Sequence, residues 1–125
     1  MDRGGVAKRS PRSLTELVDV RDFLEEVRLR PGMWVQGGSL RHLESMLVGY
    51  RVALGVHRVA EVWQFWSPGD QGSFAAWLWG RLGRSSSVGW AVEIEREAVS
   101  LGVPSLELFF ALWDDYLAAS EQFDG

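Results

Sequence analysis

The chain has 125 residues, a net charge of −4, no cysteine and seven tryptophans. A chain of this length folds as one domain with a core that needs no staples, and without cysteine it has neither disulfides nor thiol chemistry. No stretch approaches the roughly 20 apolar residues of a membrane span, and no apolar run follows the basic N-terminus as in a secretory signal, so the expected location is cytoplasmic with no membrane partner.

Residues 1–12 carry Arg3, Lys8, Arg9 and Arg12 against Asp2, with Gly4, Gly5 and Pro11 between them. Nothing apolar is available to bury, so the composition predicts a disordered basic leader before a single helical domain over 13–125. Four cations with no aromatic among them make a poor nucleic-acid site. Ser13 and Glu16 have the spacing of a capping box and open a helix whose apolar face is Leu14, Leu17, Val18, Phe23, Leu24 and Val27. Asp19, Asp22, Glu25 and Glu26 fall on its polar face. Pro31 disfavours helix at Arg30, so the helix stops near 28–30. Met33, Trp34 and Val35 then read as a short buried hook ended by Gly37 and Gly38. Ser39 caps the next helix, in which Leu40, Leu43, Leu47, Tyr50 and Leu54 recur at helical spacing and Gly55 marks the stop.

The run Arg28-Leu29-Arg30-Pro31-Gly32-Met33-Trp34 resembles a tag of gyrase-B-type ATPases, in which an R-x-R-P-G-M-[YW] loop precedes a helix. In that family the helix carries a Glu that activates water and an Asn that holds magnesium. Aligning its start with Leu40-Arg41-His42 puts Met46 at the Glu position and Tyr50 at the Asn position. Neither side chain can do that chemistry, so the tag implies a helix–hook–helix device here. A longer pattern is similar to small uncharacterised bacterial proteins associated with toxin–immunity loci. It runs from the R-P-G-M-W hook through Trp77, Gly83, Ser87-Val88-Gly89-Trp90-Ala91 and Leu108-Phe109-Phe110 to Asp115-Tyr116-Leu117. That resemblance implies no catalytic residues.

Beyond Gly55 come His57 and Glu61, four apart and able to share a helical face. Two ligands do not make a metal site, and His42 is distant in sequence. Val59, Val62, Trp63, Phe65 and Trp66 form an apolar run, followed by turn chemistry from Ser67 to Gly72. Met33–Gln36 and Val59–Trp66 leave room for one small hairpin. Ser73 caps a helix over Phe74–Leu82 with Gly83 as its stop. Trp77 and Trp79 lie about 200° apart on that helix, so one of them meets solvent or a partner. The Ser85-Ser86-Ser87 triplet reads as the cap of a helix from Val88 to Val99, since a serine nucleophile needs a base and an oxyanion hole. Trp90, Ala91, Ile94 and Ala98 form its buried stripe, with Glu93, Glu95 and Glu97 in solvent. Gly102 and Pro104 precede a last helix from Ser105 to about Glu121, rich in Leu, Phe and Trp. The expected fold is an all-α bundle of about five helices.

Residues 105–125 hold Glu107, Asp114, Asp115, Glu121 and Asp124 and no basic residue. No catalytic set, metal site or cofactor motif is legible. Two functional readings follow. In the first, the chain is a non-catalytic protein-binding module, such as an immunity or inhibitor protein. It contacts a basic partner through Trp66, Asp70, Trp79, Asp114 and Asp115, because aromatics anchor interfaces and acidic faces speed capture of basic proteins. In the second, Trp63, Trp77, Trp90 and Arg81, with Trp66 and His57 nearby, line a pocket for a small ligand or substrate. Self-association is open in either case.

Overall fold

The computed structural model describes residues 11–61, 65 and 73–124, with side chains up to 119. Among these residues there are six helices and no strand: α1 (Val20–Leu29), α2 (Pro31–Trp34), α3 (Leu40–Val56), α4 (Phe74–Leu82), α5 (Trp90–Leu101) and α6 (Ser105–Asp124). The all-α expectation holds. The extra helix is α2, a single turn opened by Pro31 in the hook.

The first helix starts later than the capping box suggests. The Glu16 carboxylate accepts from the Ser13 N–H (2.9 Å), but the box closes only a 3-10 turn over Leu14–Glu16. Leu14 and Val18, expected in the core, are exposed. α1 begins at Val20, where Asp19 accepts from the N–H groups of Arg21 (3.0 Å) and Asp22 (3.3 Å). The second cap prevails because the buried pattern Val20, Phe23, Leu24 and Val27 starts beside it.

Three acids expected on solvated faces are buried instead, and each has a stated compensation. Asp19 caps α1 and pairs with Arg21 at 3.2 Å. Glu26, 1% exposed, accepts from the Arg12 backbone N–H (3.1 Å) and from Arg12 Nε (3.3 Å). Arg12, assigned from sequence to the leader, is therefore bound to α1. Glu93 is held between Arg84 (3.3 Å) and Arg96 (3.0 Å).

α6 packs against α3, α4 and α5, and α3 packs against α5. Phe109, Phe110, Leu112, Trp113 and Tyr116 of α6 are all buried. Phe74 of α4 sits within 6 Å of the ring centroids of Phe65, Trp90, Phe109, Trp113 and Tyr116. Offset and edge-on pairs of this kind add stabilisation beyond the area they bury. α4 runs between the caps read from sequence: Ser73 Oγ accepts from the Ala76 N–H (3.2 Å), and Gly83 takes the left-handed conformation at φ 75°. The serine triplet does not cap α5 directly. Gly89 is the N-cap, and Ser86 Oγ accepts from the Val88 N–H (3.1 Å) in the approach loop.

α3 and α5 meet at their N-terminal ends and complete each other. Glu95 of α5 accepts from the Leu40 N–H (3.1 Å) at the start of α3 and pairs with Arg41 (3.1 Å). Glu44 of α3 accepts from the Ala91 N–H at the start of α5. Each carboxylate meets the positive end of the other helix. Gly89, at φ 101°, makes room: a Cβ there would lie 2.8 Å from a Glu44 carboxylate oxygen.

The half-buried Glu44 and the buried Glu93 respond to pH in opposite senses. Burial raises the Glu44 carboxyl above its ordinary value of 4.5, with Glu95 adding to the shift, so its charge weakens the fold as pH rises through the raised value. The Ser86 hydroxyl, with Arg84 and Arg96, holds the Glu93 carboxyl below 4.5, so its stabilisation is present above 4.5 and is lost on acidification. Glu44→Gln should therefore raise the unfolding free energy at pH 7, and the difference from wild type should close below pH 4.5; urea titrations at the two pH values measure it. Arg12→Ala should lower stability by about 2 kcal/mol, the scale of a hydrogen bond to a charged group. A change under about 0.5 kcal/mol would return Arg12 to the leader.

Candidate functional site

Two open grooves flank α6, and its adjacent acids serve one each. Neighbouring residues on a helix point about 100° apart. Asp114 turns toward α1, where Arg28 reaches its carboxylate (2.8 Å), donates to the Phe110 carbonyl (3.0 Å) and lies over the Phe110 ring at 4.7 Å. Asp115 turns toward α4 and pairs with Arg81 at 2.9 Å.

The groove on the α4 side has a volume of about 600 Å³. Ala76 and Gly80 of α4 and Ala118 and Ala119 of α6 line it, together with Trp77, Arg81 and Asp115. Ala76 and Gly80 are four apart and share a helical face. Trp77 is held by the core: its ring is 6.0 Å from Phe74 and 5.7 Å from Tyr116. Arg81, one turn further along α4, lies over the Trp77 ring at 5.6 Å. The groove thus has an apolar aromatic wall, a floor of small residues and one ion pair at its edge. The groove on the α1 side, about 420 Å³, is lined by Arg28, Pro31, Leu106, Phe110 and Asp114 among others.

The structure brings together three of the residues singled out from sequence: Trp77, Arg81 and Asp115. Trp90 does not join them. It is buried in the aromatic core, stacked on Phe109 at 5.2 Å, and lines no described groove, because it opens α5 on the face turned toward α6. Trp79 is half-buried and packs against the core, as Trp77 also does, so neither of the two stands free. Asp114 lies in the other groove. Trp63, Trp66 and Asp70 lie outside the described residues. The acidic face expected on α6 is partly neutralised within the chain, since Asp114 and Asp115 each hold an arginine. The groove floor was the part missed from sequence. Its signal is small residues at a spacing of four on α4 and the Ala118-Ala119 pair on α6.

His42, Tyr50 and Glu61 are occupied within the chain. His42 Nδ1 accepts from the Gln36 N–H (2.8 Å), closing the turn that carries Gly37 and Gly38. Tyr50 donates to Glu61, whose other oxygen accepts from the Val20 N–H (3.2 Å) at the start of α1. Burial and this negative partner raise the Tyr50 hydroxyl well above its ordinary value. Among the described residues no three of His, Asp and Glu gather where they could hold a metal ion. None of the described helices is long and apolar enough to cross a membrane. Comparison with family models, curated proteins and solved structures finds no match for this chain.

The Arg81–Asp115 pair joins two exposed side chains, and exposed pairs contribute about 0–1 kcal/mol. Asp115→Asn should accordingly change stability by less than about 1 kcal/mol in urea unfolding. A larger loss would make the pair a structural tie that an incoming group cannot displace.

Proposed function

We propose that the chain is a non-catalytic protein-binding module that receives a helix of its partner in the α4–α6 groove. The observation that carries this reading is the groove itself: open to solvent and lined by three alanines, a glycine and Trp77. Small floors let a helix backbone approach closely, and an aromatic wall held by the core supplies an anchor at little further entropic cost. The Arg81–Asp115 pair sets the polarity of the edge. A cationic side chain of the partner can take Asp115 from Arg81 with little penalty, because the resident pair is exposed and weak.

An immunity or inhibitor role against a basic protein is the most specific form of this reading. It is supported by the five carboxylates and absent cations of residues 105–125, the segment that forms α6. Such a charge distribution speeds encounter with a basic partner and makes capture sensitive to salt.

Affinity capture from the native host with wild type and with Ala118→Trp, which fills the groove from an exposed position, tests the proposal. Wild type should retain one stoichiometric basic partner at low salt, release it at high salt, and lose it altogether in the variant. Equal recovery by both proteins would sink the groove as the binding site.

A further inference from the structure

The far side of α3 carries a second surface. Leu40, Leu43 and Leu47 face the core, yet the helix continues to Val56 with apolar residues on its opposite side. Val48, Val52 and Val56 are 53%, 57% and 68% exposed. Recurring every four residues, they form one ridge. Ser45, Gly49 and Ala53, also exposed, run beside it as a row of small residues. No charged side chain interrupts the two rows. A helix apolar on both faces is one that is covered on both faces.

The pattern of this face identifies what covers it. About Val52 it reads the same in both directions: Val48 and Gly49 precede it at the spacings at which Gly55 and Val56 follow. A two-fold axis at Val52 then sets Val52 against its own copy, Val48 against Val56 of the second copy, and glycine against glycine. An isologous contact requires such self-complementarity. Gly49 and Gly55, one on either side of the ridge, let the two backbones approach closely enough for the valines to meet.

Charge points to the same arrangement. His57 and Arg58 are exposed at the C-terminal end of the face and have no carboxylate partner among the described residues. By contrast Arg28, Arg41, Arg81, Arg84 and Arg96 each hold one. At the N-terminal end Glu44 and Glu95 outnumber Arg41. Antiparallel packing lays the cationic end of each copy on the acidic end of the other and opposes the two helix dipoles. Arg58 is fixed there by the cap of α3, in which Val59 donates to the Leu54 carbonyl (2.9 Å) and Arg58 to that of Gly55 (3.2 Å). This cap holds Arg58 at φ 56°, a conformation that ordinarily selects glycine.

We infer that this face is a dimerisation surface: two copies pack antiparallel through α3 about a two-fold axis at Val52. The inference stands apart from the α4–α6 groove, which lies on other helices. Six small residues make a face smaller than the roughly 800 Å² that each partner gives to a standard interface, so the dimer is weak.

Sedimentation velocity and engineered cysteines test it. The weight-average mass should rise from 14.1 kDa toward twice that value as concentration increases from about 10 μM to about 1 mM, the range of a weak interface. Val52→Lys, which sets like charges on the axis, should hold the chain at 14.1 kDa with unchanged helical circular dichroism. Because the chain has no cysteine, Val52→Cys alone should oxidise readily to a covalent dimer. Val48→Cys should do so only when mixed with Val56→Cys, since a disulfide tolerates little error in spacing. A constant monomer mass overturns the inference, as does a dimer indifferent to Val52→Lys or cross-linking without this register. Co-sedimentation with phosphatidylglycerol vesicles in place of self-association would assign the face to a lipid surface and overturn it as well.

Discussion

Burial of the aromatic face of α6 is the constraint from which the rest of the architecture follows. Phe109, Phe110, Leu112, Trp113 and Tyr116 cover too wide an arc for one neighbouring helix to shield. α5 approaches from one side and α4 from another, with Phe74 inserted among the rings of both α5 and α6. Once α4 and α5 are placed, the outward residues of α6 can only open onto the clefts between helices. Asp114 and Asp115 consequently face two different grooves, and each meets an arginine from the helix across the cleft. The candidate site is thus a by-product of how the core is shielded.

Polar groups enter this core on strict terms. Asp19, Glu26 and Glu93 are buried, and each meets either free N–H groups at a helix start or a guanidinium. A carboxylate withdrawn from water without such partners would be neutralised or expelled. The buried acids therefore act as joints. Glu26 ties the approach segment to α1 and Glu93 ties the loop before α5 to α5 itself, and the half-buried Glu61 likewise ties the segment after α3 to the start of α1. The hydrophobic pattern sets which helices touch, and the carboxylates set how their ends are fixed.

The distinction also explains what could be read in the sequence. Helix existence was legible wherever a cap and a stop bracket an apolar period, as Ser73 and Gly83 do for α4 and Ser39 does for α3. It was illegible where two caps compete, because Ser13 and Asp19 both satisfy local chemistry and only the docked position of Val20 and Phe23 decides between them. Charged residues misled for a related reason. Glu26 and Glu93 fall near the edges of helical faces, and Arg12 and Arg84, which hold them (Glu93 together with Arg96 on α5 itself), lie outside those helices. Trp77, Arg81 and Asp115 could be nominated singly, but their meeting depends on the crossing of α4 and α6. Size and aromaticity alone nominate Trp90 for a pocket, and they do not separate a core ring from a lining one. The tryptophan content is largely absorbed by the core: Trp90 and Trp113 are buried, and Trp34, Trp77 and Trp79 pack against it.

The exchange of carboxylates between α3 and α5 bears on how the chain acquires its structure. Ser39 caps α3 in part and α5 has no side-chain cap of its own, and a further acceptor for the first turn of each is carried by the other helix. Helix nucleation is the unfavourable step, and here each nucleus gains an acceptor on docking. The two segments are separated by the whole of α4, so the contact is a long-range one that local propensity cannot supply. Docking consequently couples α3 to α5, so that the amides held by Glu95 and Glu44 gain exchange protection together although they lie far apart in the chain.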